Sequence, residues 1–258
     1  MPELKDKLEL KDIVLLGRTF DEYFRAFNLR DIDLKYEKIL DAASGVSSFC
    51  AEAALREINV TGSDRIYALS ASTIESKCAQ DLELVMAQMP AVAHLYKWEY
   101  FKGVESLKEA RQRAYKLFVG DFQRHGSRYI ACEYPATDFS NNQFTITLIS
   151  HFLFLYDDRL DYEFHRETIK ECVRITSKEI RVFPIVNLKG EQSPYIEKIL
   201  NDEAFVDCTI NIQTVDYNFI KNGNKMLVIA VRNAPYICSC GTQDKKTNTV
   251  KLNTGFIQ

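Results

Sequence analysis

The sequence lacks a long apolar run and any excess of positive charge. No stretch approaches the roughly 18 uninterrupted apolar residues that a membrane-spanning helix needs, so we expect neither a membrane protein nor a membrane partner. The formal net charge is −3, which argues against a broad basic surface for nucleic acid. Residues 1–12 alternate lysine with acidic residues and lack the apolar segment of a secretory signal. We predict that they form a solvated, frayed start.

Cysteine is sparse and shows no metal-binding pattern. The seven cysteines are scattered and odd in number, and no C-x-x-C pair is present. The pair in Cys238-Ser239-Cys240 is too isolated to make a zinc site. We therefore predict no metal site, and we interpret the cysteines as small apolar packing residues of a protein in the reducing cytoplasm.

What is present suits a ligand-binding α/β domain. The 258 residues, 46% of them hydrophobic, are enough for one such domain with additions. Its central segment, 38–49, has the pattern of a buried strand, a turn of small residues and a helix start. Asp41 ends the strand, where it can accept hydrogen bonds from loop N–H groups or from the amine of a ligand. Small residues at 42–45 let a ligand approach the backbone, and the helix N-terminus presents N–H groups to it.

A second predicted strand, 59–64, also ends on a carboxylate. Asp64 lies 23 residues after Asp41. An acidic residue at this place in an α/β sheet is typical of nucleotide sites, where it holds the two ribose hydroxyls. The alternative is an ordinary strand-end aspartate that caps the next turn.

The segment 38–49 resembles the first motif of the class I S-adenosylmethionine-dependent methyltransferases, in which an acidic residue precedes a glycine-rich turn. Gly45 keeps one of the family's three glycines, whereas Ala43 and Ser47 stand at the other two positions. The resemblance implies S-adenosylmethionine (SAM) as cofactor. It also implies that Asp41, Ala43, Ser44, Gly45 and Asp64 contact that cofactor.

The resemblance continues along the third and fourth predicted strands, 127–132 and 145–150. Between them, Phe139 and Phe144 keep the five-residue separation of a second family pattern, but Thr145 replaces its aspartate. The resemblance places Cys132 and Glu133 near the adenine and Ser150 at the cofactor. It places His151 beside the reactive methyl group, as a candidate base or substrate contact. The Asn/Asp-Pro-Pro-Tyr motif of many N-methyltransferases is absent.

A capped helix is predicted before the first motif, over residues 18–27. Thr19 and Glu22 form a capping box, and the aromatic residues that follow recur at spacings of three and four. One interpretation is a helix that packs across the sheet edge. The other, which the resemblance supports, is an N-terminal lid (residues 1–35) in which Arg18 or Tyr23 meets the cofactor's carboxylate.

A long segment, about 67–126, follows the second strand and has apolar residues at helical spacing. We predict a helical insertion of two or three helices. It holds the densest aromatic cluster of the chain, residues 94–101, with its one tryptophan. These aromatics either join the inserted helices or form a substrate cap, and we predict a small-molecule acceptor near them.

The predicted domain, 36–232, ends in two alternating apolar segments, 205–215 and 225–231, with a hairpin signal at Asn222-Gly223. These features together predict an α/β, Rossmann-like methyltransferase fold. Its seven-stranded, mainly parallel sheet closes with an antiparallel hairpin, whose last strand is inserted between the fifth and the sixth. Residues 233–258 are polar, and we expect them to form an appendage.

The function predicted is transfer of a methyl group from SAM to a small molecule by in-line displacement. Two alternatives stay open at this point. The protein could be a non-catalytic binding or regulatory protein on this fold, since two motif glycines are missing. It could also be a nicotinamide-dependent oxidoreductase, although the closing hairpin argues against that class. The sequence leaves the oligomeric state undetermined.

Overall fold

A single mixed sheet runs through the computed structural model, which describes residues 3–231. The predicted tail, 233–258, lies outside the described residues. The strands found in the described range are β1 (Lys38–Ala42), β2 (Asn59–Ser63), β3 (Tyr129–Ile130), β4 (Phe144–Ser150), β5 (Thr176–Phe183), β6 (Thr209–Thr214) and β7 (Lys225–Ala230).

The strand order is β3-β2-β1-β4-β5-β7-β6. The first five strands in this order pair in parallel, whereas β7 lies antiparallel between β5 and β6. This is the order of the class I methyltransferase fold, so the predicted fold is confirmed. The carboxyl ends of β1, β2 and β4 meet at one edge of the sheet, where open α/β sheets bind ligands.

Helices cover both faces of the sheet. They are α1 (Phe20–Ala26), α2 (Phe49–Ala54), α3 (Ala71–Val92), α4 (Val104–Arg124), α5 (Tyr162–Ile175) and α6 (Tyr195–Asn201). The small side chains of α2 let it pack closely on β2. Helices α3 and α4 lie between β2 and β3 in the chain and pack on each other. Within 3–231, no helix is both long enough and apolar enough to span a bilayer.

Helix α1 is built into the core. The predicted capping box forms, with the Thr19 N–H donating to Glu22 and the Thr19 hydroxyl accepting from the Glu22 N–H. Glu22 is buried and bonds Arg111 of α4 through both carboxylate oxygens, at 2.7 and 2.8 Å. The Tyr217 hydroxyl donates to the same carboxylate at 2.6 Å. Phe27, just after α1, is fully buried. These contacts join the helix to α4 and to Tyr217, and the N-terminal lid (residues 1–35) stays a prediction.

One expectation about local structure is wrong. The start of the chain is packed rather than frayed: Leu8 and Leu10 are buried, and the Lys5 N–H donates to the Ala91 carbonyl at 3.0 Å. The signal at Asn222-Gly223 marks a β-turn closed by Gly223 N–H on Ile220 O at 2.9 Å. This turn lies in the connection between β6 and β7, which form the predicted antiparallel hairpin.

Candidate functional site

A cavity of about 230 Å³ opens at the carboxyl ends of β1, β2 and β4; we call it the strand-end cavity. All of the predicted site residues except Tyr23 and Asp41 contribute to its wall, namely Arg18, Ala43, Ser44, Gly45, Asp64, Cys132, Glu133, Ser150 and His151. Residues from five separate parts of the chain thus meet at one place.

The turn after β1 exposes its backbone to this cavity. Gly45 has φ +55°, and a Cβ built there would meet no atom of residues 3–231 within 4 Å, so these residues leave open space beside it. Ala43, at one of the family's glycine positions, also has a positive φ of 50°. An alanine in this conformation costs about 1 kcal/mol relative to glycine, which explains the family's glycine there.

Asp64 ties the turn to the end of β2. Its Oδ2 accepts the Gly45 N–H at 2.9 Å, and its Oδ1 accepts the Ile66 N–H at 3.0 Å. Burial raises the pKa of this carboxyl group, against the effect of the two backbone donors. A carboxylate has about four acceptor positions, so Asp64 keeps capacity for hydroxyl donors of a ligand.

Tyr67 is a part of the site that sequence reasoning missed. Its hydroxyl donates to the Gly45 carbonyl at 2.8 Å and lies 2.6 Å from the Ser44 hydroxyl. The ring stacks on Phe118 of α4, so the inserted helices hold the turn in place. Only its position three residues after Asp64 could have drawn attention to it.

Asp41 and Tyr23 lie behind the turn rather than on the cavity. The buried Asp41 carboxylate accepts from the Tyr23 hydroxyl at 2.9 Å and from the Ser47 hydroxyl at 3.0 Å. Burial raises the pKa of Asp41 to about 7. The donors are therefore side-chain hydroxyls and not the loop N–H groups or ligand amine expected from the sequence. Tyr23 does not contribute to the cavity wall, and its contact with the cofactor's carboxylate stays a prediction.

Arg18 contributes to the wall of the cavity. Its Nη1 donates to the Leu16 carbonyl, but its buried Nε has no hydrogen-bond partner among residues 3–231. Burial lowers the pKa of the guanidinium, and the charge of Arg111 lowers it further. A buried N–H without an acceptor is costly.

His151 stands at the end of β4 with φ +52°. Its Nδ1 lies 2.9 Å from the Ser150 hydroxyl, and its Nε2 has no hydrogen-bond partner within residues 3–231. Burial lowers the pKa of the imidazole well below 6.5, and the charges of Arg18 and Arg111 add to this effect. His151 is therefore neutral at pH 7 and able to accept a proton.

Cys132 and Glu133 line the opposite side of the cavity. The Cys132 N–H donates to the Asp64 carbonyl at 3.4 Å. Glu133 is exposed and pairs loosely with Arg65, at 3.6 Å. Both residues thus stand beside Asp64, which is where the resemblance would put the adenine end of the cofactor.

The chain before α1 forms the remaining wall, over residues 12–16. A Cβ at Gly17 would lie 2.2 Å from the Val46 carbonyl oxygen, so only glycine lets this segment approach the turn so closely. The Ser48 N–H then bonds the Arg18 carbonyl at 2.9 Å. The apolar run from Ile13 to Leu16 is the sequence feature that could have predicted this part of the wall.

The aromatic cluster at 94–101 mainly joins elements together. Tyr96, Trp98 and Phe101 all pack on Phe219, and Tyr100 packs edge-on against Tyr217. Within residues 3–231, no group of three or more His, Cys, Asp or Glu side chains is arranged to hold a metal ion.

No protein-family model matches the chain. The uncharacterised protein MJ0045 of Methanocaldococcus jannaschii is 48% identical over 223 residues, which are 86% of this chain and 98% of that protein. The chain belongs to the family of this archaeal protein.

Solved structures show weaker likeness. Magnesium protoporphyrin IX methyltransferase (ChlM) from Synechocystis, with bound SAM, is 14% identical and has a TM-score of 0.43; the match covers 82% of this chain and 77% of that one. A SAM-dependent methyltransferase from Methanosarcina mazei is 11% identical with a TM-score of 0.39, covering 76% and 92% of the two chains. At such low scores, the fold assignment rests on this chain's own strand order.

Proposed function

We propose that this protein is a methyltransferase that uses SAM to methylate a small molecule. The observation that carries the proposal is the convergence of three features on the strand-end cavity. These are the open turn at Gly45, the Asp64 carboxylate at the end of β2, and the His151 imidazole at the end of β4.

The residues present fit such a cofactor. Asp64 would hold the ribose hydroxyls with its remaining acceptor positions, and the open space beside Gly45 lets the cofactor approach the backbone. Cys132 and Glu133 would lie at the adenine.

The chemistry is expected at His151. SAM, when bound, supplies a methyl group on a positively charged sulfur. The enzyme's task is then to align the acceptor and, where the acceptor must lose a proton, to provide a base. In the tautomer that carries its own proton on Nδ1, neutral His151 can take that proton at Nε2, which has no partner among residues 3–231. Ser150 would orient the ring through Nδ1.

Titration calorimetry with SAM tests this proposal. We expect micromolar binding to the wild type, weakened by about 1–2 kcal/mol in Asp64→Ala because a hydrogen-bond acceptor for the ligand is lost. Asp138→Ala is the matched control, since Asp138 is exposed and outside the cavity wall, and NAD is the control ligand. Absence of SAM binding to the wild type would refute the proposal, as would equal loss in the two variants.

A further inference from the structure

A second, smaller cavity of about 50 Å³ lies against the strand-end cavity. The two share a wall formed by Val14, Leu16, Arg18 and His151. We call the second one the apolar cavity. It is enclosed by the chain before α1, by α3 and α4, and by the connection between β6 and β7. A molecule held there would face His151.

Most of the side chains that line this cavity are apolar. Side chains that line it and do not contribute to the strand-end cavity include Leu8, Val85, Met86, Met89, Leu107 and Phe219. Such walls favour an apolar body and disfavour a sugar or nucleotide, whose buried hydroxyls would lack partners. Methionine side chains adapt their shape to a ligand, so two of them allow the cavity to widen when it is filled.

The charge at the apolar cavity is positive. Arg18 and Arg111 both line it, and no aspartate or glutamate within residues 3–231 does. The nearby Glu22 carboxylate is already bonded by Arg111, by Tyr217 and by the Thr19 N–H. One positive charge is thus left over, on the Arg18 guanidinium, which lines both cavities. An anion gains from this site, whereas a cation meets two guanidinium groups and no acidic side chain in the wall that residues 3–231 form.

We propose that the apolar cavity is the acceptor site of this enzyme and that it takes a compact, largely apolar molecule with one anionic group. This inference rests on the proposed function, because it identifies the acceptor by its place beside His151. Tyr96 is the one member of the 94–101 cluster that lines this cavity. The acceptor thus lies at the inner edge of the aromatic cluster rather than among its stacked rings.

Methyl NMR of protein labelled with [¹³C-methyl]methionine tests the inference in a site-specific way. The chain has four methionines: Met86 and Met89 line the apolar cavity, Met226 is buried outside it and serves as internal control, and Met1 precedes the described residues. The probes are benzoate, benzamide and benzamidinium, which share one shape and carry charges of −1, 0 and +1. Each is titrated with and without S-adenosylhomocysteine.

Benzoate is expected to move the Met86 and Met89 signals along one binding curve and to leave Met226 in place. Its affinity should exceed that of benzamide by at least about tenfold, as loss of a charge-assisted hydrogen bond implies, and benzamidinium should not bind. Met86→Phe, which fills the cavity, should abolish the shift at Met89. Leu84→Phe, on an exposed position of the same helix, should leave it unchanged.

The outcomes separate the two proposals. If S-adenosylhomocysteine binds but benzoate does not, or if benzamidinium binds as well as benzoate, the inference is wrong and the proposed function stands. Persistence of benzoate binding in Met86→Phe would also overturn it. If S-adenosylhomocysteine fails to bind, the proposed function falls and the acceptor assignment falls with it. The comparison of benzoate, benzamide and benzamidinium on the wild type tests the inference even if Met86→Phe does not fold.

Discussion

Replacing Asp41 with asparagine is expected to stabilise the fold at neutral and alkaline pH. The Asp41 carboxylate is fully buried, and no cation pairs with it among residues 3–231. Its partners are the hydroxyls of Tyr23 and Ser47. Because burial disfavours the charged form more than these two donors favour it, the pKa rises from its ordinary 3.8 to about 7.

The size of the effect follows from linkage between proton binding and folding. A shift of this size, at 1.36 kcal/mol per pH unit, corresponds to roughly 4 kcal/mol. The folded state holds this proton more tightly than the unfolded chain does. The stabilisation is therefore complete below pH 3.8 and is lost as the pH rises through about 7. Asparagine carries no charge at any pH and escapes the loss, while the two hydroxyls can reorient toward its amide.

Urea denaturation of wild type and Asp41→Asn at matched pH values between 4 and 8 measures this difference. The two free energies of unfolding should be similar at pH 4 and differ by up to about 4 kcal/mol at pH 8, with the variant more stable. His151 and His165, whose pKa values burial lowers, act in the opposite direction below pH 6.5, which is why the comparison is made at each pH. Asp138→Asn, at an exposed position, is the control. A variant less stable at pH 8, or a difference independent of pH, would refute the reasoning.

Two further outcomes follow from other buried groups. Glu22→Gln leaves the Arg111 guanidinium buried without a counter-charge. The free energy of unfolding measured in urea should therefore fall by about 3–5 kcal/mol. Asp21→Asn, which breaks the neighbouring exposed pair of Asp21 and Arg25, should lower the free energy of unfolding by less than about 1 kcal/mol. Equal losses in both variants would contradict this reasoning. The His151 ring should stay neutral at pH values well below 6.5, as ¹⁵N NMR of the imidazole can follow, with His151→Asn to assign the signal. Protonation near pH 6.5 would show that the ring is not desolvated as described.

The order of elements could be derived from the sequence alone. Alternating strand and helix patterns predict a parallel sheet, and the two apolar segments after residue 205 predict the antiparallel closure that β6 and β7 form. Asp64 and Gly45 could be singled out because strand ends and small-residue turns are local features. They come together because the carboxyl ends of parallel strands share one edge.

Only the tertiary structure decided which polar groups face the ligand and which support the site from behind. Asp41 and Asp64 are equivalent in sequence terms, yet Asp41 is buried under the turn by Tyr23 and Ser47 whereas Asp64 lies on the cavity. The contribution of residues 12–16 and of Tyr67 depends on contacts with distant parts of the chain. The charge left over at Arg18 likewise depends on how α1, α4 and Tyr217 share Glu22. The local sequence pattern predicts the hydrophobic period and the approximate ends of each helix and strand. Which side chains far apart in sequence pair with each other is decided by the packing of these elements.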